Sequence, residues 1–188
     1  MNIVNVGYDS TNYYAIDIPG GKLLIDCGWP GTLPKLNAVL KRKGMRAQEI
    51  RFLMVTHFHP DHAGIAQDIK DGGAQLVLME SQPALIAPME ELFRRKGIAY
   101  SPIRTERNIL LSFGESRAFL AGLGIHGEII STPGHTDDSV TLILDEGVAF
   151  TGDLAPLFTL AEEDAMSRLS WQRIREHGVT KILPAHGG

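Results

Sequence analysis

The chain's pattern predicts a mixed α/β fold with sheet in the centre and helices packed outside. Nine short apolar runs bounded by Gly, Pro or Asp read as strands, four stretches show helical spacing, and both kinds occur in each half of the sequence. At 188 residues the chain can bury roughly 70% of its unfolded surface, so it needs no disulfide staples. No short-period repeat, low-complexity tract or linker-like shift interrupts it, and residues 1–188 are expected to form one domain.

In chain order, NIVNVG (2–7), YYAIDI (13–18) and KLLIDCG (22–28) are the first three expected strands. Leu33, Leu36, Val39 and Leu40 then give one apolar face, which predicts a helix over 33–43. RFLMVTH (51–57) is the next strand, followed by a helix continued by Ala63, Ile65, Ala66 and Ile69. AQLVLME (74–80) is a strand, and residues 84–96 form a third helix. GEIIST (127–132), VTLILD (140–145) and GVAFTGD (147–153) are strands. A fourth helix spans 161–177 on Ala165, Leu169 and Ile174, and KILPAH (181–186) is the last strand.

Composition narrows the function classes. With 44% apolar and 21% charged residues the chain is of ordinary globular type, and no run approaches the 18 or so apolar residues of a membrane span. MNIVNVGYDSTNYY has neither a basic start nor a long apolar core, so no secretory signal and a cytoplasmic location are expected. The net charge of −4 gives no attraction for phosphate backbones. The basic runs KRK (41–43) and RRK (94–96) read as solvated helix faces, so neither nucleic acid nor membrane is an expected partner. Cys27 is the only cysteine, which leaves His, Asp and Glu to hold any metal.

The most informative stretch is THFHPDHAG, residues 56–64, with three histidines and an aspartate between positions 57 and 62. His57 and His59 are two apart and project to the same side of an extended backbone. Pro60 discourages helix at His59, and Asp61 is expected to cap a helix starting near His62. Four metal-seeking groups then surround one point. Three more candidates follow apolar runs: His135 in STPGHTDDS, Asp153 in FTGDL and His186 in LPAHGG. With DCG after KLLI, five clusters sit at strand ends, where loops on one sheet edge can converge.

THFHPDHAG, TPGHT, FTGD and PAHG, in that order, resemble the metallo-β-lactamase superfamily over most of the chain, from LLIDCG to PAHGG. The resemblance implies a four-layer αββα sandwich and a dinuclear metal site. It implies that His57, His59 and His135 hold one ion, that Asp61, His62 and His186 hold the other, and that Asp153 bridges them. Asp26 matches an acidic position expected behind the ligands, orienting them. His126 and His177 match nothing and are expected to be structural.

The implied activity is metal-dependent hydrolysis of a small molecule, with a water shared by two ions as nucleophile and Asp61 relaying its proton. Ligands of N and O without thiolate suit zinc first and would accept iron or manganese. Asp153 stands where the best-known zinc β-lactamases resemble one another in having Cys or Ser, so thioesters and lactones are expected ahead of phosphodiesters and β-lactams. Glutathione-thioester hydrolases of the superfamily carry a further domain after the position of PAHGG, and a compact hydrolase without it is expected here. Tyr13, Tyr14 and Tyr100 are candidates for a leaving-group acid, and residues 83–110, with Phe93 and Tyr100, for a substrate wall. The alternatives are a single-iron persulfide dioxygenase, whose family shares the HxHxDH pattern, and a non-catalytic metal-binding module.

Overall fold

Side chains along the central strands alternate between two cores, and that alternation builds the layers. A computed structural model describes residues 1–187. In it β1 (Ile3–Asn5), β2 (Tyr14–Ile18) and β3 (Gly21–Ile25) pair antiparallel. After α1 (Leu33–Arg42) comes β4 (Ile50–Met54), parallel to β3. The short helices α2 (Pro60–Ala63) and α3 (Ala66–Asp71) lead to β5 (Gln75–Met79), and α4 (Pro83–Arg95) leads to β6 (Asn108–Leu111). The first sheet runs β1-β2-β3-β4-β5-β6.

The second half repeats the plan on a smaller scale. After α5 (Ser116–Gly122), strands β7 (Gly127–Ser131), β8 (Val140–Leu144) and β9 (Val148–Gly152) pair antiparallel. Helix α6 (Ala165–Glu176) crosses back, and β10 (Lys181–Pro184) lies parallel to β9.

Leu24, Leu53, Leu76 and Leu78 face α1 and α4, where they pack with Leu36, Leu40, Met89 and Phe93. Their neighbours Leu23, Ile25, Met54 and Val77 point the other way and meet Ile129, Leu142, Leu144 and Phe150 of the second sheet. On that sheet's far side Ile143 and Ala149 pack under Trp171 and Ile174 of α6. A two-residue period on both sheets therefore produces helix, sheet, sheet and helix in layers, the expected four-layer order. Removing one inter-sheet side chain such as Leu142 would cost about 2–5 kcal/mol.

All nine expected strands form, within a few residues of the expected ends. The structure adds β6 and α5, which lie in stretches with too little periodicity to declare themselves. It also corrects the helix after the histidines. That helix begins at Pro60, with His59 as its flanking residue, so Asp61 lies in the first turn and is not the cap. It then stops, because the His62 carbonyl accepts the Cys27 N–H at 2.8 Å instead of closing a further helical turn. Both basic runs end helices, where Lys41, Arg42, Arg94 and Arg95 complement the helix dipole.

Candidate metal centre

The C-terminal ends of β3, β4, β7, β9 and β10 open on one edge of the two sheets, and each carries a candidate residue into the same space. Two contacts lock the sheets together there: the Val140 N–H donates to the Thr56 carbonyl at 2.9 Å, and the Phe58 N–H donates to Asp138 Oδ2 at 2.9 Å. The loop between β1 and β2 reaches the same edge. The ring of His186 donates from Nδ1 to the Ser10 carbonyl at 2.8 Å, and Thr11 lies 3.4 Å from Asp61 Oδ2.

Two donor sets result, His57, His59, His135 and Asp153 in one and Asp61, His62, Asp153 and His186 in the other, with the ligand atoms of each set within 4.8 Å of one another. Asp153 belongs to both. Its Oδ2 lies 3.9 Å from His57 Nε2 and 3.5 Å from His135 Nε2, whereas its Oδ1 lies 3.2 Å from His62 Nε2 and 3.3 Å from His186 Nε2. His59 Nδ1 and His135 Nε2 are 3.0 Å apart, near the ~3.3 Å separation of two nitrogens bound tetrahedrally at about 2.0–2.1 Å. The seven side chains that the resemblance grouped thus lie together.

Behind the donors, Asp26 ends β3 in the left-handed region, with φ of 58°, a conformation that Asp tolerates better than most residues. This turn aims its buried carboxylate at the histidine loop. Oδ1 accepts the Thr56 N–H at 2.7 Å, while Oδ2 accepts the Thr56 hydroxyl at 2.9 Å and His62 Nδ1 at 3.0 Å. The Thr56 hydroxyl in turn lies 3.2 Å from His57 Nδ1. With both Nδ1 atoms occupied as donors, both Nε2 atoms face the centre, that of His57 as a lone pair and that of His62 with a proton that a cation would displace. His57 Nε2, His62 Nε2 and Asp153 Oδ1 are buried with no hydrogen-bond partner, which is what an intervening cation would satisfy.

The electrostatics agree. Burial, then the neighbouring His62, pushes His57 well below the usual histidine range, and burial lowers His135 despite Asp153. Burial opposes charge on His62 as well, but Asp26, Asp153 and Asp61 overcome it and push the ring up to about 12. Burial would raise Asp61 and Asp153; contacts with His62 prevail and hold Asp61 at about 2 and Asp153 below the carboxylate range. The proton on His62 therefore balances three carboxylates, a task that a bound cation would take over.

Two close approaches need glycine. Gly152, at φ of 55°, puts a would-be Cβ 2.5 Å from Thr56 Oγ1, and Gly134, at φ of 147°, puts one 2.4 Å from Ser167 Oγ. Thr56 and Asp138 were not singled out by sequence; their only sign was adjacency to His57 and His135, and Asp137 beside Asp138 is exposed. His126 and His177 stand apart from both donor sets, as expected. His177 ends α6, its Nδ1 donating to the Arg173 carbonyl at 2.7 Å.

Residues 83–110, expected to form a substrate wall, do not line the pocket beside the donors. Phe93 is 1% exposed and stacks on Tyr100 at 5.0 Å within the first helical layer. The pocket beside the donors, of about 450 Å³, is formed instead by the loop after β9, Trp171 and β10, with His135, Asp153 and His186 in its wall. None of the three candidate tyrosines lines it: Tyr13 is buried and Tyr14 donates its hydroxyl to the Pro184 carbonyl at 2.9 Å. Among the described residues no helix is long and apolar enough to cross a membrane.

Comparison with known proteins places this arrangement. A sequence model described as the metallo-beta-lactamase superfamily matches residues 6–186. The chain is 26% identical over 183 residues to the beta-lactamase-like protein 2 homolog of Caenorhabditis elegans, covering 94% of this chain and 56% of that protein. It is 26% identical to a protein of Methanocaldococcus jannaschii named "Probable metallo-hydrolase MJ0888", covering 100% of this chain and 92% of that one. The chain spans a little over half the length of the first of these relatives and of its Drosophila melanogaster counterpart. Among solved structures, a metallo-beta-lactamase family protein from Thermus thermophilus has a TM-score of 0.72 at 22% identity, over 99% of this chain and 72% of its own. The FEZ-1 metallo-beta-lactamase from Legionella gormanii also has a TM-score of 0.72, at 21% identity, over 98% of this chain and 76% of its own.

Proposed function

The chain belongs to the metallo-β-lactamase superfamily, and from that premise we propose that it is a dinuclear metal-dependent hydrolase of a small molecule with an ester-like bond, a thioester or lactone first. The observation that carries this reading is the sharing of Asp153 between two donor sets, with orphaned buried nitrogen and oxygen atoms facing the space between them. His57, His59 and His135 would hold one ion, Asp61, His62 and His186 the other. Their N and O donors suit zinc, with iron or manganese also accommodated.

When bound, two such ions polarise the scissile carbonyl and bring the pKa of a water near neutrality. The remaining work falls to the chain. Asp26 and Thr56 fix the ring orientations of His57 and His62, so the donors are set before an ion arrives. Asp61, ionised at neutral pH and partly open to solvent, accepts a hydrogen bond from the attacking water and relays its proton. Water adds to the acyl carbon, the C–S or C–O bond breaks, and the leaving thiol or alcohol takes up a proton as the acid forms.

Elemental analysis of protein purified without added metal, followed by assays on a thioester, a lactone, a phosphodiester and a β-lactam, tests the proposal. About two ions per chain and turnover of the first two substrates are expected. A single iron with oxygen uptake on a persulfide would overturn it in favour of oxidation. A metal-loaded protein inert towards all four would overturn it in favour of a binding module.

A further inference from the structure

The pocket beside the donors differs in chemistry from the centre it adjoins. Away from His135, Asp153 and His186, its wall is made of Leu154, Leu157, Trp171, Ile182 and Pro184, with Phe158, 90% exposed, at the rim. Thr151 is the one hydroxyl-bearing wall residue, and neither lysine nor arginine lines the pocket among the described residues. A substrate phosphate or carboxylate placed there would lose its hydration and gain no counter-charge. An uncharged chain would gain about 0.8 kcal/mol for each buried methylene.

The wall is also built to keep its shape. Trp171 donates its indole N–H to the Ala155 carbonyl at 2.8 Å, tying the loop after β9 to α6. Leu154 and Trp171 belong to the core between α6 and the second sheet, so this side of the pocket is anchored. Its other side is β10, an edge strand whose Ile182 side chain turns towards the cavity and is not packed in that core. At about 450 Å³ the cavity is within the range of small-molecule sites.

We propose that this pocket seats an apolar acyl chain, so that the preferred substrate is an uncharged medium-chain acyl thioester or ester. The chain lies on the acyl side because the pocket abuts Asp153, which faces both donor sets and hence the carbonyl carbon, while the leaving group departs towards solvent. This inference rests on the hydrolase reading above and specifies its substrate.

Metal-loaded protein assayed on acetyl, butyryl, hexanoyl and octanoyl thioesters of one small thiol tests it. kcat/KM is expected to rise about fourfold per added methylene until the cavity is filled. Ile182→Glu, at an exposed edge position that tolerates charge, is expected to lower the octanoyl-to-acetyl ratio at least tenfold. A flat profile, or a rise only when the leaving thiol is lengthened, overturns the acyl pocket while leaving the hydrolase standing. If the thioesters are inert together with the lactone, phosphodiester and β-lactam, the hydrolase reading fails, and the pocket is judged by binding alone. Trp171 emission in a Trp29→Phe background, titrated with 1-butanol and 1-octanol, should then show octanol binding tighter by the same factor per methylene and weakened by Ile182→Glu. Equal or absent binding of the two alcohols overturns the pocket as a chain site.

Discussion

Asp153 turns one carboxylate oxygen towards each donor set, and this division makes it the residue whose loss is expected to cost most. On the proposed dinuclear reading, Asp153→Ala would leave two cations facing each other without an anion between them. Bound metal should fall and turnover should drop more than about 100-fold, as elemental analysis and steady-state kinetics would show. Normal metal content with retained turnover would contradict the bridging role. Asp138 acts at one remove, through the Phe58 N–H between His57 and His59. Asp138→Ala leaves that buried donor unpaired, so a loss of about 1.5–3 kcal/mol in urea melts is expected. It should be accompanied by weaker metal binding, because the histidine loop loses its tie to the second sheet. The sequence displayed the residues of both donor sets as candidates, and the family resemblance grouped them, but neither revealed Asp138, since an acidic pair after a histidine does not show which member turns inward.

Elements carry these residues to one edge because strands that end together end their loops together. The expected strands were legible for an elementary reason: a buried strand needs apolar residues on both faces, so KLLI, FLMV and VTLIL stand out from their flanks. The helix after the histidines was read as longer than it is, because its end depends on a carbonyl taken by Cys27, a residue 35 positions away. The same dependence on distant partners keeps α4 out of the pocket beside the donors: it has a pocket-like composition, yet Phe93 is spent on the first helical layer. At the other end of the molecule, His177→Ala removes only a cap of α6 and a 3.5 Å approach to Glu128. Metal content should be unchanged by this substitution, and a lost ion in elemental analysis would show that the ligand set is wrongly drawn.

Over the whole molecule, the metal-free centre makes stability depend on pH in two windows. Asp61 and Asp153 lie below their unfolded values, so their contribution is complete above about pH 4 and is lost as pH falls below that, for Asp61 towards about 2. His62 lies above its unfolded value, so its contribution is complete below about pH 6.5 and declines as pH rises towards about 12. Urea midpoints of metal-free protein should therefore be highest near pH 5 and lower at pH 3 and at pH 9. His62→Gln should abolish the decline on the alkaline side, and an unchanged slope would assign it to another group. Divalent metal should flatten the alkaline limb, by replacing the proton it reflects.

By itself the sequence determined which side chains could serve a metal, the strands that deliver them and the layered class of the fold. Those properties follow from local periodicity and from the donor chemistry of individual residues. The resemblance implied Asp153 between the two sets and Asp26 behind them; tertiary structure alone decided which oxygen of Asp153 faces which set, that Asp26 reaches His62 directly and His57 through Thr56, and that an apolar wall from β10 and α6 stands beside them. Such features are distances between segments far apart in the chain. They are fixed by how two sheets pack and where their edges meet, which no spacing within one segment encodes.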